Sequence, residues 1–166
     1  GASLTFINES WEKPTDSIAI SSMQENLNVK WIAKARSGAR GGGVAIIVDK
    51  KRFKVDHQAI HETESEIVAA LLTPKARPDM RILAISFYAP PRTSRRAIAI
   101  DKMEQDLLTI ISDFKMHHPG PTAVILGGDK NMDRISLDCI QGLVQAVKKP
   151  TRNGRILDVV WTDLPV

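Results

Sequence analysis

The chain has a single cysteine, Cys139, and a single tyrosine, Tyr88, and aromatic residues make up only 5% of it. One cysteine cannot close an intrachain disulfide, which excludes a disulfide-stapled scaffold and suits a reducing compartment. The setting of Cys139 among apolar residues reads as core rather than nucleophile. No apolar run approaches the roughly 18 residues of a membrane-spanning helix. Repeats, low-complexity tracts and interdomain linkers are also missing, and 166 residues is about one domain by length. What is plentiful is positive charge, a net +4. That surplus fits an anionic partner such as nucleic acid, although many basic proteins bind none.

The most informative stretch is Ala123 to Met132, AVILGGDKNM. An apolar strand there ends in two glycines and delivers a carboxylate, Asp129, and a carboxamide, Asn131. Such a strand end is a common way to build a metal or phosphate site, and glycines allow a sharp turn and a close ligand. The plainer reading is a Gly-Asp turn with no site at all.

Leu4 to Ile7 reads as a short buried strand running into Asn8-Glu9-Ser10-Trp11. A loop at Lys13 to Asp16 and a weak extended segment carrying Trp31 and Ile32 follow. Gly41-Gly42-Gly43 lacks the GxxxxGK[ST] spacing and precedes a strand, Val44 to Val48, so it is not a phosphate loop. Lys54 to Gln58 is a further candidate strand. Glu66 to Leu72 and Ile82 to Tyr88 are apolar strands around a polar turn, the pattern of an antiparallel hairpin. Pro90 and Pro91 end the second.

Ser94 to about Phe114 carries apolar residues at helical spacing, among them Met103, which reads as core. His117-His118 before Pro119-Gly120 reads as a solvated helix end rather than a metal ligand pair. The spacing of Leu137, Ile140, Leu143, Val144 and Val147 predicts a second helix over 136–147. Ile156 to Trp161 is a strand with Asp158 inside an apolar run, and a buried carboxylate needs a partner. Strands joined by hairpins, with helices late in the chain, predict a layered α/β sandwich of mixed sheets rather than a doubly wound fold.

With these residues in view, the chain resembles the endonuclease/exonuclease/phosphatase superfamily. Within it, the chain is most similar to the apurinic-type endonuclease domain of animal non-LTR retrotransposons. Ile7-Asn8-Glu9-Ser10-Trp11 resembles the family's TETW segment, and Arg40 to Ile46 its RGGGVAI. Phe87 to Pro91 resembles YxPP, Gly128 to Asn131 resembles GDFN, and Pro150 through Asp158 resembles PTR…LD, all in the family's order.

The resemblance implies two mixed β-sheets flanked by helices and Mg²⁺- or Mn²⁺-dependent cleavage of phosphodiester or phosphomonoester bonds. It implies Glu9 as the metal carboxylate, Asp129 activating water, Asn131 holding the phosphate and Tyr88 contacting the phosphate or leaving group. Asp158 would pair with a catalytic histidine. Arg92, Lys148, Lys149, Arg152 and Arg155 would follow a nucleic-acid backbone, DNA before RNA, unless they are merely solvated surface. No membrane partner is expected, and a retroelement endonuclease would work in the nucleus.

The pattern also departs from the family. Lys130 stands where GDFN has its aromatic. None of the four histidines, His57, His61, His117 and His118, has the family's Ser-Asp-His context. The expectation is a single domain, 1–166, lacking the family's first strand and its C-terminal Ser-Asp-His segment. It would be inactive or impaired as a nuclease on its own and would assemble or swap strands through open sheet edges. The alternatives are a non-catalytic binding or self-assembly module on the same fold, and a phosphomonoesterase of the same superfamily.

Overall fold

The computed structural model describes residues 3–13, 16–36, 42–59, 65–90, 100–120, 122–131, 137, 140 and 142–165. Strand β1 (Leu4–Asn8) leads through helix α1 (Ser17–Leu27) to β2 (Val29–Lys34) and β3 (Val44–Asp49). Then come β4 (Phe53–Ala59), β5 (Glu66–Pro74), β6 (Arg81–Tyr88), α2 (Ile100–His117), β7 (Thr122–Asp129), β8 (Val144–Gln145) and β9 (Asp158–Thr162). A three-stranded antiparallel sheet has the order β1-β3-β2. A six-stranded mixed sheet has the order β4-β5-β6-β7-β9-β8 and is antiparallel except between β6 and β7.

The central strands read as unbroken apolar runs because both of their faces are covered. Ile67, Ala69, Leu71, Leu83, Ile85, Phe87, Val124 and Leu126 pack with Met103, Leu107, Ile110 and Phe114 of α2. Their alternates Val68, Ala70, Leu72, Ile82, Ala84 and Tyr88 pack with Ile32, Val44, Ile46 and Val48 of the smaller sheet. The expected sandwich and the β5–β6 hairpin are therefore present. Among the described residues, no helix is long and apolar enough to cross a membrane.

One helix is added to the expected elements and one is removed. Helix α1 has no buried residue, so it lacks the apolar stripe by which a sequence announces a helix. Its end is set by Asn28, left-handed at φ 51°, whose N–H caps the carbonyls of Gln24 and Glu25. The helix predicted over 136–147 is not one among its described residues. Ile140 N–H donates to Leu137 O, and Leu143 N–H to Ile140 O, at 2.9 and 3.1 Å. Leu137, Ile140 and Leu143, linked by these bonds, are buried at a spacing of three. Gly142 then takes φ +89°, and Val144–Gln145 pairs with β9 as an edge strand. The start of the helix predicted from Ser94, together with Arg40, Gly41, His61, Arg92 and Cys139, lies outside the described residues.

Candidate active site

Register places four polar residues in one row across the larger sheet: Glu66 opposite Tyr88, Tyr88 opposite Asp129, and Asp129 opposite Asp158. Paired residues point to the same side of a sheet, and Tyr88 belongs to the core between the sheets. The row therefore opens at the carboxyl ends of the parallel pair β6 and β7, where α/β sheets place their ligand sites. Helix α2 makes that parallel pairing possible, since it carries the chain back from the end of β6 to the start of β7.

The smaller sheet supplies the other half. Tyr88 Oη donates to Glu9 Oε1 at 2.8 Å. The side-chain amide of Asn8, oriented to satisfy its neighbours, donates to Phe87 O and accepts from Asp129 N–H, each at 2.9 Å. Adjacent residues at the end of β1 thus reach both β6 and β7. Glu9 and Trp11 are left-handed, at φ 55° and 52°. Such conformations cost about 1 kcal/mol or more outside glycine and persist where neighbours impose them. Here Ser10 N–H donates to Gly43 O at 3.2 Å and Trp11 N–H to Gly42 O at 2.9 Å.

That glycine strap is itself anchored. Glu66 Oε2 accepts from Gly43 N–H at 2.7 Å, while Oε1 pairs with the Arg36 guanidinium. Arg36 in turn lies 5.7 Å over the Tyr88 ring. Asn8, Arg36 and Glu66 were not singled out from sequence. The available signal was a carboxylate, Glu66, opening a strand that is apolar on both faces.

Asp129 is 6% exposed. Its Oδ1 accepts from Asn131 N–H at 2.9 Å, and Oδ2 faces Arg152 Nη2 at 3.5 Å. Burial raises its carboxyl above the ordinary range, and the nearby Asp158 and Glu9 charges add to that, against Asn131 and Arg152. Burial first, and then the hydrogen bond to Glu9, push the Tyr88 phenol up to about 12, so it stays a donor at neutral pH. Asn131, left-handed at φ 44°, donates from Nδ2 to Ala89 O at 3.1 Å, which leaves its second N–H uncommitted by that bond.

Three expectations are corrected. Asp158 is exposed at the first position of β9, not buried in an apolar run. Its N–H donates to Thr151 Oγ1 at 3.1 Å and Asp129 lies across the sheet, so no buried charge needs a partner. The glycines before Asp129 do not turn the chain, because β7 runs straight through them. They admit rings: a Cβ on Gly127 would lie 2.7 Å from Phe6, and one on Gly128 would lie 2.3 Å from Phe87 O. Lys130, which the resemblance made a charge at a packing position, is buried, and its backbone N–H donates to Leu157 O at 2.9 Å.

Lys148, Lys149, Arg152 and Arg155 are all exposed, on a turn beside the row. Thr151 N–H donates to Arg155 O, and Asn153 and Gly154 supply the left-handed positions of a two-residue turn. His57, His117 and His118 sit elsewhere: His57 is level with Leu71, Leu83 and Val124, toward the start of β7.

The donor set fits a hard divalent ion. No group of three or more His, Cys, Asp or Glu side chains among the described residues is drawn together as a cage. Mg²⁺ needs none, since one or two carboxylates and several waters suffice. An exposed carboxylate, Glu9, faces the same space as an Asp129 whose charge is disfavoured, and a cation there would offset both.

No sequence family and no curated protein matches the chain. Solved structures do. The catalytic domain of human Nocturnin with bound sulfate superposes with a TM-score of 0.73 at 15% identity, over 97% of this chain and 69% of that one. Truncated TDP2 from Caenorhabditis elegans gives 0.65 at 16% identity, over 99% and 72%. An endonuclease/exonuclease/phosphatase family protein from Bacteroides thetaiotaomicron gives 0.68 at 11% identity, over 97% and 67%. The chain has the endonuclease/exonuclease/phosphatase fold.

Proposed function

We propose that this chain is a divalent-metal-dependent phosphodiesterase domain of the retrotransposon endonuclease type, acting on DNA. The observation that carries the reading is the meeting of the two sheets' polar ends, Glu9 held by Tyr88 with Asn8 bonded to the backbone of Asp129. The retrotransposon assignment rests on the order of the TETW-, RGGGVAI-, YxPP-, GDFN- and PTR…LD-like segments. DNA as substrate draws support from the basic turn and from Danio rerio TDP2, a protein of this fold solved with a single-strand DNA product.

In this reading Glu9 would hold Mg²⁺ or Mn²⁺, which would supply positive charge to offset that on the phosphate and leaving oxygen. Tyr88 fixes the Glu9 carboxylate and offers its hydroxyl toward the phosphate. Asp129 takes the proton of the attacking water, a task suited to a carboxylate whose basicity burial has raised. Asn131 orients the phosphate through its uncommitted N–H, and Asp158 adds negative charge beside Asp129. Lys148, Lys149, Arg152 and Arg155 contact the backbone on either side.

In this reading cleavage is slow. The three-stranded sheet ends on β1 and β2 among the described residues, and such edges can pair with a second copy. Light scattering at micromolar concentration tests this, and a monomer would oppose it. A retroelement enzyme of this kind would act in the nucleus. Plasmid nicking in Mg²⁺, with Glu9→Gln and Asp129→Asn as controls, tests the reaction. The phosphomonoesterase alternative draws on likeness to a mannosyl-6-phosphatase from Bacteroides thetaiotaomicron (TM-score 0.68) and predicts p-nitrophenyl phosphate turnover without nicking.

A further inference from the structure

We infer that His57 and His118 form a binding site for a borderline divalent transition ion such as Zn²⁺ or Ni²⁺, remote from the polar row. His57 stands on β4 just after a register irregularity between Val55 and His57, a device that re-aims side chains on an edge strand. His118 follows the last residue of α2, tied by its N–H to Phe114 O at 2.9 Å. Both rings rest against Phe114, at 5.7 and 5.8 Å between centroids, and they lie 5.5 Å from each other.

That separation matches bridging by one ion. Zn–N bonds of about 2.0–2.1 Å, ring centres about 1.1 Å further out and a tetrahedral angle place two imidazole centroids about 5.2 Å apart. The surroundings favour a cation as well. The C-terminal end of α2 carries the negative end of the helix dipole. Asp113 lines the same groove of about 210 Å³, with Phe114 and His117. His117 is engaged differently, with Nδ1 2.8 Å from Asp113 O.

No third His, Cys, Asp or Glu among the described residues already completes a ligand set. The site is therefore two imidazoles with waters, and Asp113 as a neighbouring charge. Imidazole nitrogens prefer Zn²⁺, Ni²⁺ and Cu²⁺, whereas the all-oxygen row suits Mg²⁺, so the sites select different metals. A bound ion would tie the edge strand β4 to the end of α2.

Titration of the tag-free chain with ZnCl₂ by calorimetry, alongside thermal unfolding, tests this. The expected result is one ion per chain with a Kd in the micromolar range, weakened at least about tenfold by His57→Gln and by His118→Gln. The rise in Tm with Zn²⁺ is lost in both variants, while circular dichroism shows each still folded. His117→Gln and Glu9→Gln leave the affinity within about twofold. Absence of saturable binding, binding untouched by either substitution at 57 or 118, or binding lost in Glu9→Gln or His61→Gln would overturn the proposal. None of these outcomes depends on nuclease activity.

Discussion

Tyr88 donates its phenolic hydrogen to Glu9 across 2.8 Å, joining a residue of the six-stranded sheet to one just past β1 of the other sheet. The bond holds an exposed carboxylate on a left-handed backbone, so it determines where Glu9 points. Tyr88→Phe keeps the ring's packing and its stacking with Arg36 but releases Glu9. The expected cost in stability is about 1 kcal/mol or less, because Glu9 is solvated. The expected loss in phosphodiester cleavage is about 10²-fold, measured under single-turnover conditions.

Asp129→Asn should stabilise the protein in the absence of metal. The folded carboxyl titrates above its ordinary value of 3.8, chiefly through burial. The folded chain therefore binds this proton more tightly than the unfolded chain does. Its contribution to stability is present at low pH and is lost as pH rises from 3.8 through the higher folded value. Asparagine removes that loss and keeps an acceptor for Asn131 N–H. Thermal unfolding in EDTA at pH 7 should show a higher Tm, about 2–4 °C for each kcal/mol relieved in a chain of this size. The gain should shrink toward pH 4, and a lower Tm at pH 7 would oppose the account.

The order of strands along the chain was largely legible, for a physical reason. Strands covered on both faces must be apolar throughout, so Val44 to Val48, Glu66 to Leu72, Ile82 to Tyr88 and Ala123 to Leu126 stand out from any neighbouring loop. Helix α1 was not legible, because none of its residues is buried and no stripe marks it. The spacing of Leu137, Ile140 and Leu143 misled, because all three are buried every third residue although Leu143 is followed by the edge strand Val144–Gln145. The resemblance named Glu9, Tyr88, Asp129 and Asn131 as candidates, and the structure brings them near one another. Asn8, Arg36 and Glu66 could not be named, since their roles exist only across strand pairs and between sheets.

The two glycines of β7 make a paired prediction. In Gly127→Ala the new methyl meets the Phe6 ring, which can shift, and the cost is about 1–3 kcal/mol. In Gly128→Ala it meets Phe87 O, which is backbone held between strands, so the cost is larger. Denaturant unfolding of both variants checks the order, and a more stable Gly128→Ala would contradict it.

DNA affinity should carry the mark of phosphate contacts. Replacing Lys148, Lys149 or Arg155 by alanine should weaken binding roughly equally across sequences and reduce the log–log salt slope by about 1 each. Arg152→Ala should do more than this, because Arg152 also faces Asp129 at 3.5 Å. Fluorescence anisotropy between low and physiological salt measures both effects.

The most direct test is supercoiled-plasmid nicking in Mg²⁺ by the wild-type chain, Glu9→Gln and Asp129→Asn. The predicted result is slow nicking that EDTA abolishes and that each substitution lowers by about 10²-fold or more. Absence of nicking by the wild-type chain, or nicking that survives both substitutions, would contradict the assignment of Glu9 and Asp129 to a phosphodiester-cleaving site.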